Sequence, residues 1–159
     1  MSGPCQGIAA GPLTNLKVLN SNFINIKNDA LRVTGATQML VRGNYFSDIG
    51  STVVGESKYR AGITFTGPHS SQFVTITGNL LKGLAGAGIG YGLGKDAIMS
   101  DNFISDAGKG IAVQALVVGY GVSANTEAER VKVSNNVISG TTRLILIKIK
   151  GTATEKRVK

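Results

Sequence analysis

The chain has no tryptophan, one cysteine, one histidine and three prolines in 159 residues, and only 6% of it is aromatic. Each scarcity removes an option. A lone Cys5 excludes an internal disulfide, and with His69 as the only histidine no metal site and no cofactor is expected. Nothing upstream of Cys5 resembles a lipoprotein leader, and residues 1–12 lack the charged start and long apolar run of a secretory signal. No apolar stretch approaches a membrane span. No signal peptide and no transmembrane segment are therefore expected, and any journey out of a cell would need another route, such as lysis or assembly into a particle. Acidic groups are also few, nine against seventeen Lys and Arg, for a formal charge of +8. Most of that excess sits in residues 143–159, which carry a net +5, while the body is nearly balanced. Such an end is either a solvated terminus or a contact for an anionic partner.

Glycine is abundant instead, with 22 residues, which favours short strands joined by tight turns over a helical bundle. A repeated phrase settles the architecture. Asparagine followed by two apolar residues occurs as Asn22-Phe23-Ile24, Asn44-Tyr45-Phe46, Asn79-Leu80-Leu81, Asn102-Phe103-Ile104 and Asn136-Val137-Ile138, at intervals of 22, 35, 23 and 34 residues. Two intervals are one unit long and two are one unit plus an insertion, as in a solenoid.

Before the asparagines lie alternating runs such as Met39-Leu40-Val41, Val74-Thr75-Ile76, Ala97-Ile98-Met99 and Val131-Lys132-Val133. Period two means strand. The first copy, Leu16 to Leu19, is out of step by one residue, consistent with a bulge or a frayed first rung. A second strand starts at each apolar pair and a third follows a small-residue turn, so three strands close one rung.

On these residues the chain resembles the right-handed parallel β-helix family, the pectin-lyase-like fold, over residues 13–150. That resemblance implies an all-β solenoid of about five rungs. It also implies a structural ladder in which Asn22, Asn44, Asn79, Asn102 and Asn136 occupy a corner in left-handed conformation and share amide hydrogen bonds between rungs. Residues 1–12 are expected as an extension and 151–159 as a basic tail. Five rungs at about 4.8 Å make a stub about 24 Å tall, whose end edges need loops, a partner or further sequence to cover them.

Chemistry is sought first at the insertions, Ser51 to Arg60 and Leu116 to Glu129, because loops on a rigid scaffold carry binding residues. Asp48 and Asp106 each lie four residues after a ladder asparagine, with Gly83 at the intervening rung. Their expected separation of roughly 10 Å is near the upper end for an inverting glycosidase, and Glu56 is a third candidate catalytic carboxylate. Lys58, Tyr59 and Arg60 complete a candidate sugar-binding set. The same Asp-x-Gly pattern also makes an ordinary turn. His69 reads as a loop residue, and Gly83 to Gly94 lacks phosphate-loop spacing.

The third strands place Arg32, Thr64, Gly90, Ala112 and Leu146 in one outward column and Thr34, Thr66, Gly92, Gln114 and Lys148 in another. Neither holds a carboxylate, a departure from the family's catalytic pattern, so packing between chains is the preferred use of that face. Nucleic-acid binding is not expected, since basic residues are not interleaved with a column of exposed aromatics.

The chain most resembles a rung segment of bacteriophage tailspikes and related virion proteins, which implies a homotrimer or a virion partner and attachment to a surface polysaccharide. Two alternatives are a small polysaccharide-acting hydrolase or lyase using Asp48 and Asp106, and a particle-decorating protein docked through its basic end.

Overall fold

A computed structural model of the chain describes residues 6–50, 61–66, 69–92, 94–113, 128–140 and 145–147. Among them every regular element is a β-strand and every pairing is parallel. No described helix is long and apolar enough to cross a membrane.

Three faces repeat along the coil. The first stacks Leu13–Thr14 and Lys17–Leu19, then Ala36–Arg42, Ser71–Thr77, Gly94–Ser100 and Ala128–Ser134. The second stacks Asn22–Ile26, Tyr45–Ile49, the starts of Leu80–Tyr91 and Phe103–Val113, and Val137–Ser139. The third stacks Ile8–Ala10, Leu31–Val33, Ile63–Phe65, the ends of those two long strands, and Ile145–Ile147. This is the expected parallel β-helix of about five rungs. It begins before residue 13, because Ile8–Ala10 pairs in register with Leu31–Val33 and supplies the third face beneath the first full rung. Residues 151–159 lie outside the described residues.

Strand alternation sends one apolar set inward on each face, where it meets its equivalents on adjacent rungs. Val41, Ile76 and Met99 line the first face, Phe46, Leu81 and Ile104 the second, and Leu31, Ile63 and Ile89 the third, all almost fully buried. Each such side chain contributes roughly 1.5–3 kcal/mol. Aromatic rings stack in the same way: Phe23 and Phe46 are 4.7 Å apart and within 5° of parallel, while Phe65 and Tyr91 are 5.1 Å apart and tilted.

The ladder occupies the corner between the first and second faces. Asn44 donates through Nδ2 to Asn79 Oδ1 at 3.0 Å, Asn79 to Asn102 Oδ1 at 2.9 Å, and Asn102 to Asn136 Oδ1 at 2.9 Å. Each side chain also donates to a strand carbonyl across the corner: Asn44 to Val18, Asn79 to Val41, Asn102 to Ile76 and Asn136 to Met99. All four are buried.

Asn22 is not part of this ladder. It is exposed and pairs with Tyr45, whereas Ser21 holds the corner and donates its backbone N–H to Asn44 Oδ1 at 3.0 Å. The first interval is thus 23 residues, equal to the other short one. The run Lys17–Leu19 pairs in register with Leu40, Val41 and Arg42, so the misplaced element was the asparagine and not the strand.

A second correction concerns backbone conformation. The ladder asparagines do not have positive φ; the residue before each does, in the column Asn20, Gly43, Gly78, Asp101 and Asn135, with φ between 48° and 66°. Asparagine in the ladder is selected for its amide, and the left-handed bend is made one residue earlier by Gly, Asn or Asp, which tolerate it best. Two further columns share that conformation, Asn25, Asp48, Gly83, Asp106, Gly140 and Asn15, Gln38, Phe73, Asp96, Arg130. Every described non-glycine residue with positive φ belongs to one of the three columns.

Candidate functional site

Asp48 and Asp106 do share a column with Gly83 between them, as the spacing predicts. Both are exposed and both are left-handed, at φ 55° and 51°. Asp48 Oδ2 accepts a hydrogen bond from the neighbouring Ser47 hydroxyl at 2.7 Å. Its other oxygen lies over Gly83, where an added Cβ would be 3.2 Å away, and Asp106 Oδ1 lies over Gly140, where it would be 2.5 Å away. The column therefore alternates a bending aspartate with a glycine that makes room for it. Glu56, Lys58, Tyr59 and Arg60, and most of the insertion 116–129, lie outside the described residues.

On the third face the register aligns Arg32, Thr64, Gly90, Ala112 and Leu146 as expected. Thr64 and Gly90 are already buried, which leaves the middle of this column little surface to offer. At its lower end Gln6, Ala9, Ala10, Gly11, Arg32 and Thr34 line a shallow cleft of about 220 Å³. Arg32 Nε is buried there without a hydrogen-bond partner.

The larger apolar surface lies on the second face. Tyr45, Leu80, Phe103 and Val137 follow the four ladder asparagines directly, pair rung to rung, and point outward. Leu80, Phe103 and Val137 are 41%, 44% and 54% exposed, and Ile24 beside the stripe is 53% exposed.

The first face carries charge. Arg130 grips Asp96 with two bonds, Nε to Oδ1 at 2.6 Å and Nη2 to Oδ2 at 2.8 Å. Those bonds hold the Asp96 carboxyl below the usual value of 3.8, against some desolvation, and raise the guanidinium. Beneath this face the Tyr91 hydroxyl donates to Ser71 O at 3.2 Å, and burial, helped by the nearby Asp96 charge, pushes its pKa well above the ordinary phenol value.

A family model described as a right handed beta helix region matches residues 5–154. The chain belongs to the right-handed β-helix family. No curated protein and no solved structure matches it. The match starts ahead of Ile8–Ala10, in agreement with the early start of this β-helix.

Reading the sequence missed the stripe, although the signal was in the repeated phrase. Two consecutive apolar residues in a period-two strand cannot both face the core. Phe46, Leu81, Ile104 and Ile138 take the inward places, so the first residue of each pair is forced out.

Proposed function

We propose that the chain is a structural, host-attachment module of the tailspike or virion type: a rigid β-helical stub that assembles with copies of itself, as a trimer, and presents its corner loops to a surface glycan. The observation that carries the reading is the outward stripe Tyr45, Leu80, Phe103 and Val137, continuous over four rungs. Scattered exposed apolar residues are ordinary, but a contiguous line of them marks an interaction surface. In coils packed side by side about a common axis, equivalent rungs sit at equal heights, so a straight stripe on one copy runs parallel to a rotated copy. The β-helix fold adds the ligand class, because its resemblance is to polysaccharide-handling and tailspike proteins.

Light scattering on a size-exclusion column tests the assembly. Wild type should elute at three times the 16.5 kDa chain mass. Leu80→Glu combined with Phe103→Glu should give a monomer with an unchanged β-sheet circular dichroism spectrum. A wild-type monomer at micromolar concentration would sink the proposal.

A further inference from the structure

Arg32 Nε is the only side-chain nitrogen or oxygen among the described residues that is buried with no hydrogen-bond partner. Strand alternation explains how it comes to be there. Leu31 and Val33 are fully buried, so Arg32 between them starts outward, and its stem then lies down on the sheet far enough to take Nε out of water. The residue as a whole stays part-exposed, and its guanidinium makes no ion pair with any described residue. A cation half withdrawn from water calls for an acceptor. The chain does not offer one: Asp29, the carboxylate of the same rung, is buried and accepts the Ala61 backbone N–H at 2.8 Å. The other described carboxylates, Asp48, Asp96, Asp101, Asp106 and Glu129, all stand on higher rungs. A neighbouring copy in a ring around the coil axis meets Arg32 at equal height, so it brings none of them level with the guanidinium.

The cleft that Arg32 lines sets what the acceptor looks like. Its volume of about 220 Å³ is that of roughly seven waters. The rest of the lining, Gln6, Ala9, Ala10, Gly11 and Thr34, brings no second charge, and the Thr34 hydroxyl already donates to Ala10 O at 3.2 Å. One planar cation matches one negative charge spread over two oxygens, which is a carboxylate; a phosphate dianion would keep an uncompensated charge. The two alanines suit a short apolar body behind that carboxylate. One and two rungs up, Thr64 and Gly90 in the same column are buried, so no groove continues along the coil for a polymer to follow.

We propose that this cleft binds a small monocarboxylate, a short-chain acid of about the size of butyrate, with the Arg32 guanidinium on its oxygens and Ala9 and Ala10 against its apolar body. The site lies on the third face, away from the outward stripe, and does not depend on the assembly.

Proton–nitrogen correlation NMR of the full chain, titrated with sodium butyrate at constant ionic strength, tests it. Butyramide serves as the neutral isostere, inorganic phosphate as the competing anion and polygalacturonate as the polymer. Butyrate should shift the Arg32 side-chain N–H and the backbone amides of Ala9, Ala10 and Thr34 together, in one saturable step with a Kd of about 1 mM or tighter. Butyramide should leave them in place. Arg32→Gln should abolish the step, and Arg32→Lys, which keeps the charge and loses the fork, should weaken it about tenfold. Melting temperatures give a second readout. Without ligand Arg32→Met should melt no lower than wild type, because it removes a buried polar atom that has no partner. With butyrate wild type should melt higher than before and Arg32→Met should not. The inference is overturned if butyrate gives no saturable shift at Arg32, if butyramide binds equally, if phosphate binds more tightly, or if the Arg32→Gln chain, folded, binds like wild type. Ligand-free Arg32→Met that melts lower than wild type overturns it too, since the guanidinium would then already be satisfied within the chain. Polygalacturonate that displaces butyrate at a lower concentration of carboxylate would make the cleft part of a glycan surface and likewise remove it as a small-acid site.

Discussion

Asn102 Oδ1 accepts two hydrogen bonds from Asn79, one from its backbone N–H at 3.1 Å and one from its side-chain Nδ2 at 2.9 Å. The same relation joins Asn44 to Asn79 and Asn102 to Asn136, so one amide oxygen closes each rung onto the next.

Asn102→Leu should therefore be among the most damaging single changes. It removes the oxygen to which the Asn79 backbone N–H and Nδ2 both donate and leaves Asn136 Oδ1 and the Ile76 carbonyl without their side-chain donor, all in a buried corner. Two or more stranded polar groups at about 1–3 kcal/mol each predict a loss of about 2–5 kcal/mol. Urea denaturation would measure it.

Asp48→Asn and Asp106→Asn should leave stability almost unchanged, because asparagine also tolerates left-handed backbone. Asp106→Val should cost about 1–2 kcal/mol more, since a β-branched side chain does not. Thermal melts distinguish the two. Glycan affinity should not change in either double or single asparagine variants; any polysaccharide cleavage abolished by them would instead make the column catalytic.

Acid should loosen the upper first face. The folded-state pKa of Asp96 lies below its ordinary value of 3.8, so the Asp96–Arg130 contribution is complete above that value and disappears as pH falls through the lowered one. Arg130 is exposed and Asp96 only half-buried, which keeps the effect small and salt-sensitive. In Arg130→Gln the melting temperature should depend less on pH below 4 or so and less on added salt.

Alkali should act through Tyr91. Its phenol is raised above the ordinary 10.0 when folded, so its contribution is complete below pH 10 and is lost as pH rises beyond it. Tyr91→Phe should flatten the alkaline limb of stability. At neutral pH it should cost about 1 kcal/mol for the lost bond to Ser71 O.

Much of the fold was legible because its signals are local and repeated. Asparagine spacing, period-two strands and glycine corners each recur several times, and recurrence fixes a rung. The one misplaced ladder member shows the limit: Asn20, Ser21 and Asn22 are consecutive polar residues, and matching the phrase chose Asn22 where matching the 23-residue interval would have chosen Ser21. The surfaces were less legible. An inward column is marked by apolar type, but an outward one is a mixture whose members meet only across rungs, as Lys17, Leu40, Thr75, Ile98 and Lys132 do.

The sequence by itself determined that this chain coils, that it makes about five rungs, and the four amides Asn44, Asn79, Asn102 and Asn136 that hold them together, because those depend on residue type at a fixed period. The tertiary structure alone decided which residue of each corner bends left-handed, that the outward members of the apolar pairs line up from rung to rung as one stripe, and that Phe73 stands exposed on a strained backbone. Those outcomes depend on how each rung sits on the one below it, and stacking register is a relation between segments that no single stretch of sequence contains.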